Sequence, residues 1–318
     1  MKVMLISYTQ NPEKVVATAA KLCYSNSNAT ELYEKITSDE ATSFIEKLAS
    51  MGHQSPLEHA SFTFAIEVVS RSLLAQITRH RIASFSVQSQ RYVDMSDKFE
   101  PVVPKDLINN PDFDNIMNTL HVAYNNISLC LTKHYFRNEY EDLMKREKIS
   151  IPYDYFESSK MIDQLIEDLH IYNEDEKKKM KRNILAMKKK AIENARAILP
   201  NACPTQMIVT MNARELLHFF NERCCNRAQE EIRELAWRML ILVKTVAPSI
   251  FVNAGPSCLC GNCKEGPMTC AKPYLYPIKG EKNYTINYST FILSKDPGYV
   301  PSGLKNFIRV IKEYDNEY

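Results

Sequence analysis

The chain has 318 residues, 40 of them Lys or Arg and 38 Asp or Glu, for a formal net charge of +2. That length buries enough surface to form a core without covalent staples, as one large domain or two modest ones, and so even a charge balance supplies no global field to draw in nucleic acid. The first ten residues, MKVMLISYTQ, hold too short an apolar stretch for a secretory signal, and charge breaks every other apolar run well before twenty residues, so we expect a cytoplasmic protein with no membrane partner.

Lys2 to Ser7 reads as a short strand. Asn11 as N-cap and Pro12 at the first helical position then open a helix through about Ala20. A second helix runs from about Ser38 to Met51 and stops at Gly52. Phe62, Phe64 and Ile66 alternate with Thr63, Ala65 and Glu67, the period of two that marks a half-buried strand. Leu73, Leu74 and Ile77 return to helical spacing, which puts Arg79-His80-Arg81 at a helix end, where the chain turns toward Ser89. From Pro104 to about Leu199 the pattern is mostly helical and highly charged, and its lysine runs are expected to be a solvated face. Asn212, with Glu215 three residues on, has the pattern of a capping box. At about 100° per residue, Arg214 and His218 share one face of the following helix and Arg223 projects nearly opposite, so one helix is expected to serve two different pockets. Ile232, Leu235, Met239, Leu242 and Val246 continue the periodicity until Pro248. After Ala254 come a Gly-Pro step, a cysteine cluster, a Pro-rich connector and an amphipathic segment from Leu304 to Ile311. We read residues 1–253 as a catalytic domain with a helical insertion over about 104–199, and residues 254–318 as a C-terminal extension.

The densest chemistry lies in Arg79-His80-Arg81 and, seven residues later, Ser89 within Gln88-Ser89-Gln90-Arg91-Tyr92. Guanidinium groups this close repel one another, and the arrangement makes most sense around a multiply charged anion such as a phosphate. The plainer reading is a set of cations favoured by a helix end. Two further constellations are Gly52-His53-Gln54-Ser55-Pro56-Leu57-Glu58-His59 and Asn212 to Arg227, with Arg196 shortly before the latter. The seven glycines form neither G-x-G-x-x-G nor G-x-x-x-x-G-K, and no H-E-x-x-H or G-x-S-x-G occurs. Such a set suits a site that orients charged organic molecules and leaves the chemistry to a cofactor. Of the nine cysteines, Cys203, Cys224 and Cys225 are expected as buried thiols. Cys258, Cys260, Cys263 and Cys270 have a spacing that could wrap one tetrahedral zinc or remain as free or redox-reactive thiols; no metal is expected among the catalytic residues.

Arg79-His80-Arg81, seven intervening residues and Ser89 resemble the signature of flavin-dependent thymidylate synthases. The agreement extends to Gly52-His53-x-Ser55-Pro56-x-Glu58-His59 and to Asn212-Ala213-Arg214 followed by Arg223. The resemblance implies an α+β class, a mixed helical and antiparallel-sheet catalytic domain with a long helical insertion, assembled as a homotetramer with active sites between subunits. It implies reductive methylation of dUMP to dTMP, with 5,10-methylenetetrahydrofolate as carbon donor and FAD reduced by NADPH. By motif position it implies flavin contacts at Ser55, Glu58, Arg79, His80, Arg81, Ile82, Asn212, Arg214 and His218. Nucleotide contacts fall on Gln76, Ser89, Gln90, Arg91, Arg196 and Arg223, and the catalytic candidates are Arg223, Ser89 and His53. Charge suggests Ser89, Arg91 and Arg196 as phosphate donors and Arg223 as a stabiliser of negative charge developing on the pyrimidine ring. Ser89 has no base beside it in sequence, which favours anchoring over covalent attack. For His53, a capping role and a role near flavin or folate stand level. His80, between two arginines, is expected to stay neutral because like charges disfavour its cation. Val87 stands where some members place a carboxylate, and His218 where others have an amide. Two other readings are a catalytically inactive nucleotide-binding regulator and a helical nucleic-acid-binding protein with a zinc knuckle.

Overall fold

The computed structural model describes residues 1–96, 100–147, 153–156, 158–171, 173–259 and 263–271. Cys260 and the segment from Leu304 to Ile311 lie outside the described residues. In chain order the elements are β1 (Lys2–Tyr8), α1 (Pro12–Leu22), α2 (Ala29–Lys35), α3 (Ser38–Met51), β2 (Ser61–Ser70), α4 (Arg71–Ile77), β3 (Ala83–Val87), α5 (Pro111–Glu139), α6 (Glu141–Glu147), α7 (Ser159–Asp168), α8 (Glu174–Ala195), β4 (Pro204–Asn212), α9 (Ala213–Arg223) and α10 (Glu230–Val246). They gather into two compact units, residues 1–87 with 205–318, and residues 88–204. Among the described residues, no helix is long and apolar enough to cross a membrane.

The first unit is built on a four-stranded sheet of order β1-β2-β4-β3. β1 runs antiparallel to β2, with Val3 opposite Ile66, and β3 antiparallel to β4, with Phe85 opposite Val209. The period-two pattern of β2 sends Phe62, Phe64 and Ile66 to complete burial. Against that face pack Leu235, Met239 and Val243 of α10 and Leu216, Phe219 and Phe220 of α9. Phe62 and Phe220 each meet Phe251 edge to face, with centroids at 5.4 and 5.9 Å. The core is therefore one sheet face covered by helices, as the mixed pattern requires.

Two local expectations need correction. Asn11 precedes α1 with φ of 49°, a left-handed conformation that Asn tolerates, and its side chain caps nothing; Pro12 alone sets the helix start. At α9, Asn212 does accept from the Glu215 N–H at 2.8 Å, but Glu215 does not complete a reciprocal box. Its carboxylate goes to His80 instead.

A polar joint fixes where α4 begins. Ser70 caps α4 by accepting from the Leu73 N–H at 3.0 Å, and its own backbone N–H donates to Glu231 Oε1 at 2.7 Å while its hydroxyl donates to Oε2. Glu231 stands in the first turn of α10, so one carboxylate ties the start of α4 to that core helix. One short helix later come Arg79, His80 and Arg81, whose positions are set by that joint.

The second unit is helical. Phe136, Phe156, Leu165, Leu169 and Ile184 form its main core, and Met95, Met117, Tyr124 and Cys203 a smaller one. The Tyr124 hydroxyl donates to Asp94 Oδ1 at 3.3 Å and accepts from the Met95 N–H at 3.4 Å; burial pushes its pKa up to about 12. The lysine-rich α8 keeps Met180, Ile184, Ala191 and Ile192 inside, with most of its cations exposed.

Candidate active site

A cavity of about 850 Å³ opens in the first unit between the turn after α4, the length of α9 and the segment after Asn253. Its volume is that of a site for a large organic ligand. Arg79, Arg81, Arg214, Arg223 and Lys264 line it, against the carboxylates of Glu58, Glu215 and Glu222. The acids are already engaged. Glu58 pairs with Arg214, Glu215 with His80 at 3.0 Å, and Glu222 with His218 at 3.4 Å. Among the described residues, Arg79 and Arg81 have no carboxylate partner, so the wall keeps two guanidinium groups two residues apart without a counter-charge. Both are exposed, so their donors are open to an anionic ligand.

His80 organises the floor. It is only 4% exposed, and both ring nitrogens are used within the protein: Nδ1 faces Glu215 Oε1, and Nε2 accepts from Arg223 Nε at 3.2 Å. Guanidinium can only donate, so Nε2 must be the acceptor and Nδ1 must carry the proton that goes to Glu215. Burial is the main influence lowering the pKa of His80, with repulsion from Arg223 added and the Glu215 hydrogen bond opposing. The direction is the one expected, but the cause differs: desolvation and Arg223 act, and the flanking Arg79 and Arg81 do not figure. Donor atoms of His80, His218 and Glu222 lie within 4.8 Å of one another. A cation there would have to displace the Arg223 guanidinium from Nε2, which makes the group a cradle for Arg223 rather than a metal site.

Arg223 therefore lines the same cavity as Arg214 and His218. It ends α9, and its long side chain reaches His80 while His218 lies 5.6 Å from the same ring, centroid to centroid. Residues on opposite faces by angle meet in one cavity because the terminal side chain carries its charge well beyond the helix cylinder. Glu58, Arg79, His80, Arg81, Ile82, Asn212, Arg214 and His218 all line that cavity; Ser55, His53 and Gln76 do not. Gln76 instead meets Gln229 at 3.4 Å, and the His53 N–H closes α3 by donating to Leu48 at 3.2 Å.

Ser89, Gln90, Arg91 and Arg196 belong to the second unit. Ser89 is a turn residue, its Oγ accepting from the Arg91 N–H at 3.2 Å and its carbonyl from Val93 at 3.1 Å. Glu193 gathers the two arginines, pairing with Arg91 Nε at 2.6 Å and accepting from Arg196 Nε at 3.2 Å through its carbonyl. Gln90 donates to the buried Cys203 thiol at 3.3 Å. Residues far apart in sequence thus form a second cationic cluster with its hydroxyl close by.

The profile of the family described as "Thymidylate synthase complementing protein" matches residues 4–249. The chain is 45% identical to a flavin-dependent thymidylate synthase of Clostridium tetani over 276 residues, 86% of this chain and 94% of that one. It is 44% identical to one of Geobacter sulfurreducens over 273 residues, again 86% and 94%. The chain belongs to the flavin-dependent thymidylate synthase family. A solved member from Helicobacter pylori, complexed with FAD and dUMP, is 20% identical, with a TM-score of 0.41 over 76% of this chain and 92% of that one.

Within this family member, sequence reasoning passed over several wall residues. Glu215 looked like half of a helix cap. Glu222 sits four residues after His218, a spacing that could have signalled the pair. Asn253, Ala254, Gly255 and Lys264 also line the cavity, beyond the point where the motif resemblance stopped, and nothing in their types marked them. Gly255 adopts φ of 146°, and a Cβ there would meet Leu259 Cδ2 at 2.8 Å, so the wall turns where only glycine fits.

Proposed function

We propose that the protein converts dUMP to dTMP, taking the carbon from 5,10-methylenetetrahydrofolate and the reducing equivalents from FAD that NADPH reduces, as a homotetramer with active sites between subunits. The observation that supports this most is the pair Arg79 and Arg81, without a carboxylate partner among the described residues, on the wall of a cavity shared with Arg214, Arg223 and His80. The donors fit an anionic flavin nucleotide: guanidinium groups for the phosphates, and Ile82, 67% exposed, with Leu217 as apolar surface for a flat ring. When bound, FAD supplies the hydride that completes the methyl group.

The chain's own residues hold and polarise. Ser89, Arg91 and Arg196 anchor the nucleotide phosphate, Arg91 turning from Glu193 to a stronger bidentate partner. Arg223, held at Nε by His80, keeps its two terminal nitrogens for the ligand apart from a long 3.9 Å approach to Glu222. Directed at the pyrimidine carbonyl edge, they stabilise the negative charge that builds as C5 becomes nucleophilic. Ser89 acts as an anchor, since its hydroxyl accepts from a backbone N–H and no base lies among its hydrogen-bond partners.

Release of tritium from 5-tritiated dUMP by the purified protein tests the reading. It should depend on FAD and the folate, and flavin absorbance should bleach with NADPH. Arg223→Ala should lower dTMP formation by about 10²–10³. A colourless protein that releases no tritium but binds dUMP would support a regulator instead.

A further inference from the structure

The turn that carries Ser89 and Arg91 is held at two points by buried side chains of the second unit. Within the turn, Gln90 Nε2 donates at 3.3 Å to the Sγ of Cys203, a residue with no exposed surface. Beyond it, the chain is pinned to α5. The Tyr124 hydroxyl, also fully buried, donates to Asp94 Oδ1 at 3.3 Å and accepts from the Met95 N–H at 3.4 Å. Asp94 Oδ1 accepts from the Ser96 N–H as well, at 3.0 Å, and His121 Nε2 donates to the Ser96 carbonyl at 2.6 Å. His121 and Tyr124 are three residues apart on α5, so one helical face meets segment 94–96. Met95, Tyr124, Ala195 and Cys203 pack in one apolar cluster, with Leu199 against it. That cluster therefore carries both the chain leaving Arg91 and the chain on either side of Arg196. Burial, which pushes the Tyr124 pKa up to about 12, keeps the hydroxyl protonated and able to donate to Asp94.

We propose that Tyr124 is a positioning residue for the nucleotide site: its hydroxyl fixes the segment that follows Arg91, and so sets where Ser89 and Arg91 stand relative to Arg196. This rests on the reading that these three residues receive the phosphate of dUMP. With no exposed surface, Tyr124 does not touch the ligand and acts through Asp94 and Met95. The bonds inside the turn, from the Arg91 N–H to Ser89 Oγ and from the Val93 N–H to the Ser89 carbonyl, shape it without placing it on the helices. The ion pair of Arg91 with Glu193 does place it, but that is the contact a phosphate replaces. Once the anion is bound, placement is left to Tyr124 and Cys203. A turn already fixed binds its ligand without the entropy loss of ordering a loose one. α5, within the helical insertion, is then the support of the nucleotide-binding turn.

The test is the dUMP affinity of the FAD-loaded protein by calorimetry, beside kcat and KM from tritium release. Tyr124→Phe keeps the ring packed and removes only the hydroxyl. It should raise both Kd and KM for dUMP about tenfold, the size of effect one lost hydrogen bond gives. Its kcat and FAD affinity should stay near wild type, the pattern of lost uniform binding. Asp94→Ala removes the acceptor from an exposed position and should weaken dUMP binding in the same way. Tyr140→Phe removes another hydroxyl of this unit, bonded to Asn183 at 2.7 Å at the far end of α5, and should leave dUMP affinity unchanged. Wild-type dUMP affinity in folded Tyr124→Phe would overturn the proposal; if that variant does not fold, Asp94→Ala decides in its place. An equal loss in Tyr140→Phe, or kcat and FAD affinity falling in step with dUMP affinity, would mark general damage and overturn it too. Wild-type protein that binds no dUMP would instead remove the nucleotide reading itself, and the positioning role with it.

Discussion

At the scale of single residues, the site turns on one buried imidazole. Because Arg223 can only donate, His80 must present a bare Nε2, and Glu215 enforces this by accepting the Nδ1 proton. Glu215→Ala leaves that proton unsatisfied and frees the ring to flip, so we expect dTMP formation to fall about a hundredfold through misplacement of Arg223. Glu215→Gln still offers an acceptor and should recover much of the rate. Equal losses in both variants, measured as kcat on dUMP, would show that the charge rather than the tautomer matters. The lowered pKa also has a stability sign. The unfolded chain takes a proton on His80 near the ordinary value of 6.5 and the folded chain only at lower pH, so this contribution is fully present above pH 6.5 and is lost as pH falls from there to the folded value. Urea unfolding between pH 7 and 5 should show stability declining by up to about 1.4 kcal/mol per pH unit more in wild type than in His80→Asn.

At the scale of elements, period and punctuation carried far. The alternation of Phe62, Phe64 and Ile66 gave β2, and the run from Ser38 to Gly52 gave α3 to the residue, because one buried face and a left-handed glycine leave the chain few alternatives. What escaped was polar and long-range. No periodicity indicates that Ser70 caps α4 while holding Glu231 of α10, 161 residues away. Ser70→Ala removes the cap and one charged hydrogen bond together. We expect a loss of about 2–3 kcal/mol in chemical denaturation, with Ser70→Thr milder. A loss under about 0.5 kcal/mol would mean that the joint does not hold α4.

At the scale of the whole molecule, the proposed assembly has a direct measurement. Light scattering should return four chains per particle, and activity per chain should fall on dilution through the range where the particle dissociates; a monomer with full activity would remove the between-subunit arrangement. The sequence by itself determined the family, the strands β1 and β2 but not β3 and β4, the core helices α9 and α10, and most of the cationic wall, because spaced motifs, hydrophobic period and fixed charges are written locally. Only the tertiary structure decided that Arg214, His218 and Arg223 share one cavity, that Glu215 serves His80 rather than its own helix cap, and that Lys264 and Gly255 belong to the wall. Those facts depend on where a side chain several bonds long ends once distant segments pack, and neither residue type nor spacing along the chain encodes that distance.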